Sequence, residues 1–264
     1  MRRLWVRLLL STLRTAGVRW MTHRLRSGEI IRLPTASVLA ESMLLDDLYE
    51  PAVQAAIISR LRPGMTFLDV GANAGFYTLK AATIVGPTGR VVAFEPNPVV
   101  REQLERNIKL NHFSNVLVMP IALSDRSGRA NFYFPPAGYE AHGSLRENPS
   151  FKTAYRGEVE VDTLANVLDK LGNPPVHVLK IDAEEAELSV LRGAEKLLSC
   201  EGKPVVVFEA AEDTSSAFGH RVIDVLEHLV HLGFTLSHLE GGNWLAEPRC
   251  GAGGYYASLP DGRG

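Results

Sequence analysis

Cysteine is almost absent from this sequence: Cys200 and Cys250 are the only two in 264 residues, and no C-x-x-C spacing occurs. A framework of disulfides is therefore excluded as the basis of the fold. Uninterrupted apolar runs long enough to cross a bilayer are also missing, so no transmembrane helix is expected. These absences predict a protein of a reducing compartment, which we take to be the cytoplasm.

Neither positive nor negative charge is in large excess, because 28 Lys and Arg against 30 Asp and Glu leave a net charge of −2. That balance argues against nucleic acid as a partner. The charges are unevenly spread, however: residues 1–32 contain eight arginines and one acid, Glu29, so this segment carries +7 and the remainder −9. A basic, leucine-rich segment on an acidic body predicts peripheral contact with an anionic membrane surface.

The start of the chain, MRRLWVRLLLSTLRTAG, leaves two other interpretations open. The arginine-flanked apolar stretch superficially resembles a signal peptide, although Arg7 interrupts it and no A-x-A site follows. An arginine-rich start that is poor in acids is also typical of a mitochondrial transit peptide. We predict one or two basic helices over residues 1–33 and a connector to residue 50, while residues 51–264 form one large α/β domain.

Beyond residue 51 the apolar pattern alternates between the periods of strands and helices. Strand patterns cover 66–71, 90–96, 115–123, 176–182 and 204–210, helical patterns cover 75–86, 98–111, 161–172, 185–199 and 221–234, and weaker strands follow near 235–239 and 254–258. Apolar strands that alternate with helices predict a parallel sheet covered on both faces, in a doubly wound, Rossmann-like α/β fold. The polar, Gly- and Pro-rich segment 135–158 is long enough to predict a lid or a disordered loop.

The loop 71–75, with the sequence GANAG, lies at the first strand-to-helix turn, where open α/β sheets bind ligands. It does not match G-x-G-x-x-G, because Phe76 stands in place of the third glycine. Asp69 precedes the loop, and Glu95 ends the second strand at the distance where an acid binds ribose hydroxyls. A ribose-binding carboxylate beside a loop unsuited to a pyrophosphate favours a nucleoside that carries an amino acid, namely S-adenosylmethionine.

Four motifs resemble the FkbM family of S-adenosylmethionine-dependent methyltransferases, which have the class I methyltransferase fold. They are FLDVGANAGFYT (67–78), AFEPNP (93–98), VDTL (161–164) and LKIDAEEAELSVLRGA (179–194), in that order. The resemblance, over roughly residues 50–240, implies O-methylation of a hydroxyl on a sugar, glycolipid or polyketide-type small molecule. It also implies a set of cofactor-binding residues: Asp69, Gly71, Asn73, Gly75, Tyr77, Thr78, Glu95, Pro96, Asn97 and Ala122. Helix packing or capping explains Tyr77 and Thr78 equally well, and a place in the core explains Ala122.

An alcohol is a poor nucleophile, so a positioned base accelerates its methylation. Asp182 at the end of the fourth strand, Glu184 and His142 are the candidates. Glu185 stands where the family commonly has the glycine of K-I-D-x-E-G-x-E, which puts the acceptor class in doubt. In a competing interpretation Asp182 and Glu185 form a capping box and the acids are structural.

No metal site is predicted, since Asp182 and Glu184 lack a third ligand and the histidines lack patterned partners, although a version in which the two carboxylates hold Mg²⁺ against a diol stays open. Two further functions remain open. A non-catalytic nucleoside-binding module would keep the pocket without the chemistry, and an NAD-dependent oxidoreductase would need the glycine that Phe76 replaces. Neither the identity of the acceptor nor the oligomeric state follows from the sequence.

Overall fold

The computed structural model describes residues 2–46, 49–135, 143–145, 155–184, 186–210 and 221–249. The elements along the chain are α1 (Arg2–Thr15), β1 (Trp20–Arg24), β2 (Ile30–Pro34), α2 (Val38–Asp46), α3 (Pro51–Ile58), β3 (Thr66–Val70), α4 (Phe76–Val85), β4 (Arg90–Phe94), α5 (Pro98–Leu110), β5 (Val116–Met119), β6 (Ile121–Leu123), β7 (Gly128–Phe134), β8 (Tyr155–Asp162), α6 (Leu164–Lys170), β9 (Val178–Ile181), α7 (Glu187–Gly193), α8 (Glu195–Leu198), β10 (Val205–Glu209), α9 (Val222–His231), β11 (Phe234–His238) and β12 (Asn243–Pro248). His142, Glu185 and the strand predicted near 254–258 lie outside the described residues.

A seven-stranded sheet in the order β11-β12-β10-β9-β3-β4-β5 forms the centre of the molecule. Strands β5, β4, β3, β9 and β10 are parallel, whereas β12 is antiparallel to β10 and to β11. From β3 the chain proceeds outward to β4 and β5 and then returns to β9 on the other side. The carboxyl ends of β3 and β9 therefore flank a switch point, where such sheets bind ligands. The predicted doubly wound α/β fold is confirmed.

Helices cover both faces of this sheet because its strands are apolar on both sides. All five residues of β3 are buried. Phe67 belongs to the core that includes α3, α4 and α5, and Leu68 belongs to the core that includes α6, α7 and α9. Successive residues of a strand point to opposite faces, so one strand supplies both cores.

The N-terminal segment is only partly helical, which corrects the prediction of one or two basic helices over residues 1–33. Helix α1 is followed by an antiparallel hairpin in which Trp20 pairs with Pro34 and Arg24 with Ile30. Strand β2 docks on α5 through two asparagines one helical turn apart. Asn111 accepts the Ile30 N–H at 2.7 Å, and Asn107 accepts the backbone N–H two residues further on at 2.8 Å. Amide side chains thus satisfy backbone groups that a neighbouring strand would otherwise bind.

A second, three-stranded sheet has the order β6-β8-β7. The single strand predicted over 115–123 is divided at Pro120, which has no N–H to donate to a ladder. Its first half, β5, stays in the main sheet, and its second half, β6, pairs with β8 in parallel. The predicted loop 135–158 is shorter than expected, because its last four residues belong to β8. Most of the rest of that loop, and with it the lid interpretation, lies outside the described residues.

Candidate active site

Backbone angles and close contacts with other segments explain why the loop between β3 and α4 is rich in glycine. Gly71 has a φ of 73°, and a β-carbon there would lie 1.7 Å from the carbonyl oxygen of Asp182. Gly75 has a φ of 93°, and its β-carbon would lie 2.6 Å from Leu104 Cδ1. Asn73 also adopts a positive φ, of 50°, which asparagine tolerates better than most residues. Close packing and left-handed backbone thus require this composition whether or not a ligand is bound.

Glu95, which follows β4, has its carboxylate fixed by the two loops on either side of it. Oε2 accepts the Asn73 N–H at 3.0 Å, and Oε1 accepts the Asn97 N–H at 2.9 Å. Burial raises the pKa of Glu95 to about 7, although these two backbone N–H groups lower it. A carboxylate has about four acceptor positions, so two remain for the hydroxyls of a ribose.

Asn97, on the far side of Glu95, is the N-cap of α5. Its side-chain oxygen accepts the Val99 N–H at 3.0 Å, and Pro98 occupies the first helical position. Such a cap followed by proline is a strong helix start. The EPNP motif therefore has a structural role beside any contact with a cofactor.

Lys180 is a buried cation that links the first and fourth parallel strands. Its ammonium lies 3.2 Å from Asp182 Oδ2 and 3.6 Å from Asp69 Oδ1. The second separation is an ion pair rather than a hydrogen bond, whereas Asp69 Oδ2 accepts the Thr78 hydroxyl at 2.6 Å. Burial lowers the pKa of Lys180, but the carboxylates of Asp182 and Asp69 outweigh it and hold that pKa above its ordinary value. The ammonium therefore stays charged at neutral pH.

Three more carboxyl groups, those of Glu50, Glu187 and Glu209, interact electrostatically with Asp182. Glu50 accepts the Tyr77 hydroxyl at 2.8 Å, and burial raises the pKa of Glu50. Burial likewise raises the pKa of Glu187 to about 8, against the Ala183 N–H that its Oε1 accepts at 2.8 Å. At the end of β10, burial followed by the charge of nearby Asp182 raises the pKa of Glu209 to about 9. The last two groups are thus largely neutral at pH 7.

Asp182 is not a helix cap, so the capping-box interpretation is wrong. Helix α7 begins at Glu187, with Ala186 as its N-cap. Asp182 instead lies in the turn after β9, with about a third of its side chain exposed. Glu184 follows with a φ of 48°, and its carbonyl accepts the Ser144 hydroxyl at 2.8 Å. Because Ser144 also exchanges backbone hydrogen bonds with Tyr133 of β7, the small sheet is fastened to this turn.

The carboxyl ends of β4, β3 and β9 bring Glu95, the glycine loop and Asp182 to one edge of the sheet, as the sequence predicted. Tyr77 and Thr78 lie in the first turn of α4 and bond to acids of the same edge. Ala122 is buried in the core of the small sheet with Phe132, Val159 and Val161, in strand β6, which contacts β4. Its contact with the cofactor stays a prediction.

Four residues of the site were not singled out in the sequence: Glu50, Lys180, Glu187 and Glu209. Glu209 ends the fifth parallel strand, so the rule that identified Glu95 and Asp182 would also have found it. A lysine inside the apolar strand VLKI was a second available signal, because lysine is almost never fully buried without a partner. Within the described ranges, no three His, Cys, Asp or Glu side chains are placed to hold a metal ion.

Comparison with known proteins gives a match to the family model described as Methyltransferase FkbM domain, over residues 69–236. The chain is 26% identical over 260 residues to the AMB antimetabolite synthetase AmbE of Pseudomonas aeruginosa, which covers 84% of this chain but only 12% of AmbE. It is 28% identical to the 31-O-demethyl-FK506 methyltransferase FkbM of Streptomyces tacrolimicus, over 63% of this chain and 76% of that protein. With the hexuronic acid methyltransferase AglP of Haloferax volcanii it shares 25% identity, over 76% of this chain and 80% of that protein.

Proposed function

The chain belongs to the FkbM methyltransferase family, and on that premise we propose that it transfers a methyl group from S-adenosylmethionine to a hydroxyl of a sugar, glycolipid or polyketide-type small molecule. Its central sheet is the doubly wound, Rossmann-like sheet of class I methyltransferases. The observation that most supports the proposal is that Glu95, the loop 71–75 and Asp182 follow three neighbouring parallel strands. A nucleoside, a reactive methyl and an acceptor can then be arranged in a row along one edge.

The residues of this edge fit the proposed cofactor. Glu95 retains acceptor capacity for a cis-diol, and its negative charge would disfavour a 2′-phosphate. Further along, Asp182, Glu209 and Glu50 place carboxyl groups where a sulfonium and an ammonium can be bound. When bound, S-adenosylmethionine supplies an electrophilic methyl group on a positively charged sulfur.

Asp182 is the proposed base of the reaction. The Lys180 ammonium donates a hydrogen bond to one of its carboxyl oxygens at 3.2 Å, which holds the side chain in one orientation. The side chain is partly exposed, so an acceptor hydroxyl can reach it. Removal of the hydroxyl proton in this way is typically worth about 10²–10⁴ in rate. Glu184 lies two residues further on as a second candidate, and His142, the third, lies outside the described residues.

Glu209 is proposed to orient the acceptor. Its pKa of about 9 keeps it protonated at neutral pH in the free protein, and in either protonation state its carboxyl oxygens can accept a hydrogen bond from the acceptor hydroxyl. With Glu209 at the end of β10 and Asp182 after β9, the roles of positioning group and base are divided between two neighbouring strands. Such a division is common where two carboxyl groups share a site.

The names of two relatives suggest which acceptors to test first. One is named for 31-O-demethyl-FK506 and another for hexuronic acid, so each relative carries an oxygen-rich compound in its name. We propose hydroxyl acceptors of these two kinds for this chain. AmbE, of which the chain spans 12%, is a much longer protein, and its name adds no acceptor.

The proposal is tested in two stages with the full chain. Calorimetric titration should detect S-adenosylhomocysteine and no NAD⁺; tight NAD⁺ binding would contradict the nucleoside assignment in favour of an oxidoreductase. Transfer of a radiolabelled methyl group is then measured on the two acceptor classes, with Asp182→Asn as the matched inactive control. Binding without transfer to any hydroxyl compound would instead support a non-catalytic nucleoside-binding module.

A further inference from the structure

Helix α1 is held in one orientation by the face that it turns to the body. Val6 and Leu10, one turn apart, are buried. On the same side Arg3 Nε and Arg7 Nε lie 2.8 Å and 2.9 Å from Glu41 Oε1 of α2. Two buried apolar side chains and a shared carboxylate fix which residues of the helix face outward.

The outward face is made of large apolar side chains. Leu4, Trp5, Leu8 and Leu9 share one side of the helix by their spacing, and their exposure ranges from 49% for Leu9 to 69% for Trp5. Seven of the eleven large apolar side chains that are exposed within the described ranges precede residue 39. A concentration of this kind marks an interaction surface, because scattered exposed residues would spread over the whole molecule.

The charge around this face identifies the kind of partner. Residues 1–32 carry +7 and the remainder of the chain −9. Arg14, Arg19, Arg24 and Arg26 are all exposed, whereas the one acid of the segment, Glu29, is buried. A second copy of the chain docked through the same face would bring two +7 segments together, which opposes self-association. The surface that complements exposed leucine and tryptophan beside arginine is an anionic lipid layer.

We propose that α1 lies in the plane of an anionic bilayer, with Leu4, Trp5, Leu8 and Leu9 inserted among the acyl chains. No helix in the described part of the chain is both long and apolar enough to span a bilayer, so the contact is interfacial. The arginines of the segment bind lipid phosphates, and the acidic body is kept away from the same surface. This orients the molecule on the membrane and is independent of the reaction that it catalyses.

Cosedimentation of the full-length protein with vesicles tests the proposal. We expect binding to vesicles of phosphatidylcholine with phosphatidylglycerol at low ionic strength, and at least about tenfold weaker binding to pure phosphatidylcholine. Trp5→Ala/Leu9→Ala should weaken binding to the anionic vesicles at least about tenfold, because two inserted side chains are lost. Val99→Ala/Leu117→Ala, which truncates two exposed apolar residues elsewhere, is the matched control and should bind as the wild type does.

Either of two binding results would overturn the proposal: no binding of the wild type to the anionic vesicles, or unchanged binding of Trp5→Ala/Leu9→Ala. A concentration-dependent dimer in sedimentation velocity that this variant abolishes would also overturn it, in favour of a second copy as the occupant. Circular dichroism and affinity for S-adenosylhomocysteine should be unchanged in all variants. The test therefore does not depend on whether methyl transfer has been assigned correctly.

Discussion

The carbonyl oxygen of Asp182 occupies the space that a side chain at Gly71 would need, since a β-carbon there would lie 1.7 Å away. The turn after β3 and the turn after β9 are therefore in direct backbone contact at the switch point of the sheet. In addition, the Lys180 ammonium lies 3.4 Å from the Gly71 carbonyl and 3.2 Å from the Asp182 carboxylate. The proposed cofactor loop and the proposed base are thus linked by direct packing and through Lys180.

Gly71→Ala is expected to lower the free energy of unfolding by at least about 3 kcal/mol, because a β-carbon collides with backbone that no rotamer change can move. Gly172→Ala is the matched control. Gly172 also has a positive φ, of 80°, but no atom lies within 4 Å of its β-carbon position. The control should lose only about 1–2 kcal/mol from backbone strain. Urea denaturation measures both, and equal losses would show that the contact with Asp182 is unimportant.

Glu95→Ala is expected to weaken binding of S-adenosylhomocysteine by about 1.5–3 kcal/mol, the value of a hydrogen bond to a charged group. The variant also leaves the N–H groups of Asn73 and Asn97 without their acceptor, so affinity can fall through disorder of these loops as well as through loss of the contact with ribose. A second ligand is needed to separate the two causes. A 3′-deoxy analogue should bind the wild type more weakly than the parent compound, and Glu95→Ala should no longer distinguish the two. An undiminished preference for the parent compound in the variant would refute the contact with ribose.

Asp182→Asn is expected to reduce turnover at least about 100-fold, the low end of the effect of losing a general base. Because Asp182 is not a helix cap, no capping energy is lost, and Lys180 keeps Asp69 as a partner. The melting temperature should therefore change little. Asp169→Asn, at an exposed ion pair with Lys196, is the control for removing a carboxylate. Wild-type turnover in Asp182→Asn would eliminate this residue as the base.

The free energy of unfolding should depend on pH through the raised pKa of the buried Glu187. Burial raises its pKa from 4.5 when unfolded to about 8 when folded. Between these values the folded state binds the proton and the unfolded state does not, so the free energy of unfolding falls as pH rises. The stability that protonated Glu187 contributes is therefore complete below the pKa of the unfolded state, and it is lost as the pH rises through the folded-state pKa of about 8.

Glu187→Gln should remove this slope while keeping an oxygen for the Ala183 N–H. Relative to wild type, the variant should gain at least about 1 kcal/mol in unfolding free energy between about pH 5 and pH 8. Glu195→Gln, in an exposed first turn, provides the control and should give no such difference. A wild type and a Glu187→Gln variant with parallel pH profiles would mean that Glu187 is ionised in the fold.

Binding of S-adenosylmethionine should release protons at neutral pH. Glu209, with a pKa of about 9, is protonated in the free protein, and a nearby cation favours its ionised form. Calorimetry in buffers of different ionisation enthalpy measures the number of protons. We expect a smaller release for Glu209→Gln, and a smaller release for the uncharged S-adenosylhomocysteine sulfur than for the sulfonium. Proton uptake would show that the cation binds elsewhere.

The sequence by itself determined the doubly wound sheet and the residues at its edge. Alternating apolar periods require strands buried on both faces, and parallel strands bring their carboxyl ends to one edge. Position in the chain was therefore enough to group the loop 71–75 with Glu95 and Asp182. The same reasoning, applied to β10, would have added Glu209.

Only the tertiary structure decided the remaining features, because each depends on groups far apart in the chain. The hairpin β1–β2 is bonded to Asn107 and Asn111 of α5, and no local pattern in an arginine-rich segment records partners so distant in sequence. Pro120 indicated that the strand is interrupted. Only the structure shows that β6, after the interruption, pairs with β8, a strand that follows β7 in the sequence. The sequence attributed the glycines of the loop 71–75 to the approach of a ligand, and the structure adds a second reason for them. Their need arises from contact with Asp182 and Leu104, and packing between distant segments is a property of the fold alone.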